Sequence, residues 1–217
     1  MAQRLILPIN NCKLGVGYQS LAHRAFVEKY QGVKEHHYGW DIKGATTVYA
    51  SGKGTVVNAG WDDDFGYIAI IKYDDVDTKD SFHVIHNHVA LVVRYFHMGS
   101  VKVSKGQKVT KDTVIGTIGK TGKREFTNVN HVHIEVDTDT IYAEYSPMKP
   151  KNGTPGIIKP GNANTILIPW GVFCRKTTAP DNQTISGDGE STWIHPDTNS
   201  KYFWYDQYEI NSVDSVK

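Results

Sequence analysis

The alternation of apolar and polar positions predicts a chain made mostly of short β-strands. From Thr46 onward, runs rich in β-branched and aromatic residues are separated by glycine and aspartate, which is typical of strands bounded by turns. Residues 20–30 carry apolar side chains near helical spacing and form the one helix-like stretch. The predicted fold class is therefore mostly β, with an antiparallel sheet. The predicted strands are 54–60, 67–73, 90–96, 113–118 and 131–136.

Proline and glycine residues divide the chain into three predicted parts. They are concentrated between 147 and 161, where they favour turns over strands. We expect a main domain over 10–150, a linker over 151–161 and an aromatic-rich C-terminal extension over 162–217. The extension would pack on the main domain or use its aromatic side chains as a binding surface. The acidic run 74–80 is predicted to form a loop or a hairpin tip.

Composition and charge narrow the function classes. The 217 residues include 24 Lys and Arg against 23 Asp and Glu, and the net charge of +1 gives no electrostatic reason for nucleic acid as the main partner. No apolar run is long enough to predict a membrane span. The apolar stretch in residues 1–8 is too short for a signal peptide, so we expect either a removed leader or a route that needs none. Cys12 and Cys174 can pair or both be free, and no CxxC motif predicts redox chemistry or a thiolate zinc site.

Histidines on one face of a predicted strand are the strongest chemical signal. His131 and His133 lie two residues apart, so their imidazoles point to the same side of a strand, and Glu135 continues that face. His37 and Asp41, four residues apart, flank a glycine that permits a tight turn, so they can converge on one metal. Two histidines and a carboxylate form a standard catalytic zinc set that leaves a position for water.

The order of these pieces resembles the lysostaphin-type zinc endopeptidases, the LytM-domain family that cuts peptidoglycan peptides. The family's His-x-Gly-x-Asp signature is matched by His37–Asp41, and its Tyr-x-His-Leu segment is matched by Tyr95–Met98 with Met in place of Leu. Its His-Leu-His-Phe-Glu-Val signature is matched by His131–Val136 with apolar exchanges. The glycine framework between these motifs is matched by Val103–Val109, Ile115–Gly116 and Gly119–Gly122.

The resemblance implies one zinc ion per chain and assigns the residues around it. The implied zinc ligands are His37, Asp41 and His133. The implied catalytic histidines, which do not bind the metal, are His97 and His131, and which of the two performs which step stays open. Glu135 is expected to interact with the ligands without binding the metal itself.

The activity implied by the resemblance is hydrolysis of peptide bonds in the stem peptides or cross-bridges of bacterial peptidoglycan. Zinc would bring the pKa of its bound water to about 7, which makes that water a nucleophile. The two histidines would transfer protons and stabilise the oxyanion. The protein would act at the cell wall, either as a secreted protein whose leader was removed or as a phage-derived lysin.

Some positions depart from the family pattern without removing a ligand. The family's Ser/Thr-Gly before its His-x-His is replaced by 127–130, and Gly66-Tyr67 stands where Gly-Asn is usual. The segment between the first two motifs is longer than usual, and we place the extra residues within 74–89. That segment holds His83, His86 and His88, which could form a second metal site, a groove rim or a solvated hairpin, of which we favour the hairpin.

Two other function classes compete with the peptidase. A non-catalytic LytM-like module could bind the cell wall or activate another hydrolase. Loss of a ligand would favour that class, and none is missing. A lipoyl or biotinyl carrier domain uses similar hairpins, but no Met-Lys-Met or Asp-Lys-Ala attachment site occurs in the chain.

Overall fold

The computed structural model describes residues 2–10, 12–16, 36–79, 84–124, 129–167 and 169–176, with short strands at 186–187, 195–196 and 202–204. The helix-like stretch 20–30 and His83 lie outside the described residues. A short 3-10 helix spans Pro169–Gly171. The strands of the described residues are, in chain order, β1 (Leu5–Ile6), β2 (Lys13–Val16), β3 (Trp40–Lys43), β4 (Thr47–Tyr49), β5 (Gly54–Asp62), β6 (Gly66–Lys79), β7 (Ile85–Met98), β8 (Ser100–Val101), β9 (Lys108–Val109), β10 (Val114–Thr117), β11 (Val132–Asp137), β12 (Tyr145–Ser146), β13 (Lys159–Pro160), β14 (Ile166–Leu167), β15 (Phe173–Lys176), β16 (Ser186–Gly187), β17 (His195–Pro196) and β18 (Tyr202–Trp204).

One large sheet dominates the fold. Its strands lie in the order β16, β2, β3, β11, β7, β6, β5 and β9, and β14 pairs with β11. Apart from the parallel pair β16–β2, the described pairs of this sheet are antiparallel. Smaller sheets join β4, β10 and β8, and β1, β15, β18 and β17. The prediction of a mostly β, antiparallel fold is confirmed.

Both faces of the large sheet are buried at its centre. On β7, Leu91, Val93 and Tyr95 join the larger apolar cluster, whereas Val92 and Phe96 join a smaller cluster on the opposite face. This division follows from the alternation of side chains along a strand. Burial of each such apolar side chain contributes about 1.5–3 kcal/mol. The smaller cluster forms the floor beside the candidate site and consists of Phe65, Ile68, Ile70, Val92, Phe96, Ala143, Met148 and Ile158.

The acidic segment 74–80 was predicted as a loop or a hairpin tip, and that prediction is wrong for the described part. Residues 74–79 continue β6, which pairs with β7 as far as Lys79 opposite Ile85. Val76 and Thr78 are buried while Asp75 is exposed, so the acidic positions alternate with inward-facing ones. Residues 74–79 are therefore part of a hairpin of two 14-residue strands.

Strand pairing joins the beginning of the described chain to its C-terminal part. β1 pairs in parallel with β15, and β14 extends the large sheet beside β11.

Cys12 is a buried free thiol whose pKa is raised by burial, and the side chain of Cys174 lies outside the described residues. The described residues contain no helix with the length and apolar character needed to cross a membrane. The domain limits 10–150, 151–161 and 162–217 stay a prediction.

Candidate metal centre

Strand pairing brings the two parts of the candidate site together. In the antiparallel register of β3 and β11, Asp41 lies directly opposite His133, and the register of β11 and β7 places Phe96 on the other side of His133. The His133 and Phe96 rings are stacked, with centroids 5.7 Å apart and an interplanar angle of 4°. Ile134 and Val132 belong to the larger apolar cluster, so His133 lies on the opposite face of the sheet.

Three potential ligand atoms converge in a buried triangle. His37 Nε2 lies 3.1 Å from Asp41 Oδ1, His133 Nδ1 lies 2.9 Å from the same oxygen, and the two nitrogens are 3.0 Å apart. All three residues are buried, with exposed fractions of 1% for His37, 7% for Asp41 and 3% for His133. Among the described residues, they are the one group of three or more His, Cys, Asp or Glu whose ligand atoms are close enough to hold a metal ion.

The chemistry and the spacing of these atoms fit zinc. Zinc prefers imidazole and carboxylate ligands in a tetrahedral arrangement, and bonds of about 2.0–2.1 Å separate the ligand atoms by about 3.3 Å. The observed separations of 2.9–3.1 Å are slightly smaller than that value. A set of three protein ligands also leaves a coordination position for water or substrate.

Gly39 allows the His-x-Gly-x-Asp motif to lie against the His-x-His motif on β11. A Cβ at position 39 would lie 2.2 Å from the carbonyl oxygen of Ile134 and 2.7 Å from His133 Nε2. A Cβ atom essentially never makes contacts that short, so the glycine between His37 and Asp41 is required by close packing on β11.

The close approach of Asp41 and the histidines shifts the pKa values of these groups. Burial raises the pKa of Asp41, but the positive charges of His37 and His131 and hydrogen bonds from His133 and His37 outweigh it and hold the pKa well below its usual range. Burial lowers the pKa of His133, but its interactions with Asp41 and then with Glu135 outweigh burial and raise it to about 9. Both pKa shifts favour a carboxylate on Asp41 and a proton on His133, and a metal bound at His133 would replace that proton.

His97 lies at the edge of the triangle and is fixed by its neighbours. Its Nδ1 lies 2.8 Å from the carbonyl oxygen of Thr121, and its backbone N–H donates to the carbonyl of Phe65 at 2.9 Å. A carbonyl can only accept, so Nδ1 carries the hydrogen and Nε2 is the basic nitrogen. Burial, followed by the charges of His131 and His133, lowers the pKa of His97 to about 3, which keeps the ring neutral at neutral pH.

His131, the first histidine of the His-x-His motif, carries its ring hydrogen on Nδ1, as His97 does. Its Nδ1 lies 2.9 Å from the carbonyl oxygen of Val129, so this nitrogen is the donor. Its Nε2 faces the triangle and lies 3.9 Å from Asp41 Oδ1. The centroids of the His97 and His131 rings are 5.3 Å apart. The structure thus places two imidazoles side by side next to the three candidate ligands.

Behind the ligands lies a buried ion-pair network. Glu135 is fully buried, and its Oε1 lies 3.7 Å from His133 Nε2. Arg94, also fully buried, contacts Glu135 at 3.2 Å and Asp137 at 2.6 Å. Sequence reasoning placed Glu135 on this face and missed Arg94. A single charged residue inside the apolar run 90–96 was the available signal, because a buried cation in a strand needs a partner.

Three further histidines whose side chains the structure describes, His36, His86 and His88, are exposed. His36 is adjacent in the chain to the candidate ligand His37. His86 and His88 are exposed on β7, and His88 contacts Asp75 of β6. The hairpin interpretation fits their exposure, whereas the third histidine of that segment lies outside the described residues.

Comparison with known proteins identifies the family. A family model described as peptidase family M23 matches residues 35–144, just over half of the chain, and this region contains every candidate residue named above. A comparison with curated proteins finds no match.

Several solved structures are similar to the chain at low sequence identity. The SpoIIQ–SpoIIIAH pore forming complex matches at 24% identity over 64% of this chain and 86% of that chain, with a TM-score of 0.49. A zinc containing peptidase from Vibrio cholerae matches at 23% identity over 62% of this chain and 37% of its own, with a TM-score of 0.45. The antimicrobial peptidase lysostaphin from Staphylococcus simulans matches at 21% identity over 73% of this chain and 48% of its own, with a TM-score of 0.43.

The resemblance found in the sequence motifs is thereby confirmed at the level of the family. The matched region runs from just before His37 to just beyond the end of β11, so it covers all three motifs. The chain belongs to peptidase family M23.

Proposed function

We propose that the protein is a zinc-dependent endopeptidase that hydrolyses peptide bonds in the stem peptides or cross-bridges of bacterial peptidoglycan. The observation that carries this proposal is the triangle of His37, Asp41 and His133 ligand atoms, with separations of 2.9–3.1 Å, in a chain of family M23. Those three residues would hold one zinc ion per chain. The protein would act at the cell wall, as a secreted enzyme or as a phage-derived lysin.

When bound, zinc would supply Lewis-acid polarisation of the scissile carbonyl and activation of the attacking water. The chain's own contribution comes from His97 and His131. Each ring is held by a hydrogen bond from Nδ1 to a backbone carbonyl, which presents Nε2 as the nitrogen that exchanges protons. One ring would take the proton of the attacking water, and the other would donate to the leaving amine or stabilise the oxyanion.

The smaller apolar cluster supports the ring of His133. Phe96 stacks on His133, and Phe65 stacks on Phe96 with centroids 4.5 Å apart. Apolar surroundings strengthen the interactions of charged groups, because they lower the local dielectric constant. The floor also restricts the rotation of His133, which keeps its Nδ1 aimed at Asp41.

The proposed function is tested by measuring the release of new amino termini from purified peptidoglycan. Three samples are needed: the wild type, the wild type stripped of metal by a chelator and then resupplied with zinc, and the variant His131→Ala. We expect cleavage by the wild type, its loss on chelation and recovery with zinc. We expect His131→Ala to retain zinc but to lose turnover by at least about 100-fold, the usual contribution of a general acid or base.

Two outcomes would contradict the proposal. Zinc binding without cleavage of any wall preparation would favour the non-catalytic wall-binding or hydrolase-activating module. Wild-type turnover in His131→Ala would remove that histidine from the mechanism.

A further inference from the structure

Arg94 is a fully buried cation that the proposed mechanism does not use. It lies on β7 directly opposite Glu135 of β11, on the face of the sheet that carries His133. Its Nε donates to the carbonyl of Ala143 at 2.8 Å, its Nη1 donates to Glu135 Oε2 at 3.2 Å, and its Nη2 donates to Asp137 Oδ2 at 2.6 Å. The rigid fork of a guanidinium fixes the orientation of the carboxylates that it binds.

Both oxygens of Glu135 are held in place. Oε2 accepts from Arg94, and Oε1 accepts from the Ser146 hydroxyl at 2.7 Å. The same Oε1 is the oxygen that lies 3.7 Å from His133 Nε2. Because the carboxylate cannot turn without breaking these contacts, its edge stays directed at the His133 ring.

The Nε2 atom of His133 needs a hydrogen-bond acceptor when Nδ1 binds a metal. Nδ1 faces His37 and Asp41, so a metal would bind this nitrogen and the hydrogen of the neutral ring would lie on Nε2. That Nε2 is buried, and within the described residues it has no hydrogen-bond partner. Histidines that bind metals almost always donate their other ring N–H to a carboxylate, a carbonyl or water.

We infer that Arg94 is a positioning residue, which holds Glu135 so that Oε1 accepts the Nε2 hydrogen of His133 in the metal-bound site. This inference rests on the proposed metal site and deepens it. The Nε2–Oε1 separation must shorten from 3.7 Å to about 2.9 Å, a change within the range of a side-chain adjustment. Arg94 does not touch the metal or the substrate, and it acts only through Glu135.

Asp137 provides a matched control within the same network. It contacts Arg94 as Glu135 does, but its other oxygen, Oδ1, accepts from the backbone N–H of Asp139. Neutralising Asp137 therefore disturbs the charge balance of Arg94 without changing the side chain that faces His133.

The first experiment measures zinc affinity by competition with a chromogenic chelator, using the full chain as wild type, Glu135→Gln and Asp137→Asn. Loss of a carboxylate behind a metal-bound histidine weakens metal affinity by about 10–100-fold. We expect that loss in Glu135→Gln and an affinity near the wild-type value in Asp137→Asn. Equal affinities in Glu135→Gln and wild type, or equal losses in the two variants, would overturn the inference.

The second experiment tests Arg94 itself through Arg94→Lys, which keeps the positive charge and loses the fork. We expect a weakened zinc affinity in the wild-type background and no further loss when Glu135→Gln is already present. An equal additional loss in both backgrounds would show that Arg94 affects zinc affinity independently of Glu135 and would overturn the inference. If Arg94→Lys does not fold, the first pair of variants still decides the role of the carboxylate that Arg94 holds.

These measurements are independent of the proposed peptidase activity. Zinc affinity is read without a substrate, so an unchanged Glu135→Gln affinity refutes the positioning role even if the wild type cleaves peptidoglycan. Conversely, a wild type that binds zinc and cleaves no wall refutes the peptidase while the affinity comparison stands.

Discussion

At the scale of single residues, the candidate site requires a residue without a Cβ atom at position 39. The His-x-Gly-x-Asp spacing predicts that His37 and Asp41 converge, but it does not explain why the middle residue must be small. The structure supplies the reason, because the backbone at Gly39 lies against the carbonyl of Ile134 and the ring of His133. The glycine is thus a packing requirement between two motifs far apart in the chain.

The variant Gly39→Ala is expected to lose zinc binding and to be destabilised by several kcal/mol. Its Cβ would lie 2.2 Å from backbone and 2.7 Å from a ligand ring, and neither can move without displacing β11. Gly106→Ala is the control, because its Cβ meets nothing within 4 Å and its cost is only that of a positive φ of 84°, about 1–2 kcal/mol. Thermal unfolding and zinc content measure the difference, and equal behaviour of the two variants would contradict the packing argument.

Thr121 holds His97, one of the two histidines to which we assign a catalytic role, through a backbone hydrogen bond. Its carbonyl accepts from His97 Nδ1, while its hydroxyl accepts from the backbone N–H of Tyr67 and donates to the carbonyl of Met98. The hydroxyl therefore ties the loop that carries this carbonyl to β6 and β7.

Thr121→Val is expected to keep zinc and the fold but to lower kcat, because the loop that orients His97 loses both side-chain hydrogen bonds. The unpaired backbone groups would cost about 1–3 kcal/mol of stability. Thr117→Val removes one hydrogen bond, to Ser100 at 2.9 Å, and serves as the control away from His97. Peptidoglycan turnover at saturating substrate is the measurement, and a kcat equal to that of the control would rule out this role for Thr121.

At the scale of elements, the chain uses loops to hold the strands that carry the site. The turn 63–65, which follows Asp62 at the end of β5, contains Phe65, whose carbonyl accepts from the backbone N–H of His97. Buried Lys149 fixes this turn through Asp64 at 2.5 Å and Asp62 at 3.3 Å. Asp62 also accepts from the backbone N–H of Ile158, so the segment after β12 is tied to the same turn.

Lys149→Met is expected to lower the free energy of unfolding by about 3–5 kcal/mol, because it leaves two carboxylates without their buried cation. The control is Lys123→Met, which breaks an exposed pair with Asp63 at 3.5 Å and is expected to cost less than about 1 kcal/mol. Urea unfolding of both variants gives the comparison. Equal losses of stability would show that the buried pair carries no special weight.

The alternation of apolar and polar residues predicted the central strands. It did not predict the part of β6 where acidic residues occupy the exposed positions. Strands 67–73 and 90–96 were placed correctly, but each extends further, to Lys79 and from Ile85. The acidic residues after Tyr73 indicate a loop by composition, although Val76 and Thr78 continue the inward-facing positions. Composition alone misleads there, because an exposed edge of a long hairpin tolerates acidic side chains.

At the scale of the whole molecule, the site is assembled by long-range pairing that no local pattern encodes. His37 and His133 are 96 residues apart, yet their ring nitrogens lie 3.0 Å from each other. The order of three family motifs predicted this set, and the structure places its members together. The sequence signals that Arg94 is a charged residue in an apolar strand, but it does not identify the partner, because it does not show which position of β11 lies opposite Arg94.

The central claim is that His37, Asp41 and His133 bind one zinc ion that serves cleavage of peptidoglycan peptides. The most direct measurement is metal content by mass spectrometry for the purified wild type beside His37→Ala, each then assayed on peptidoglycan. We expect one zinc per chain and wall cleavage in the wild type, and neither in the variant. Absence of zinc from both proteins after resupply, or equal zinc in both, would contradict it.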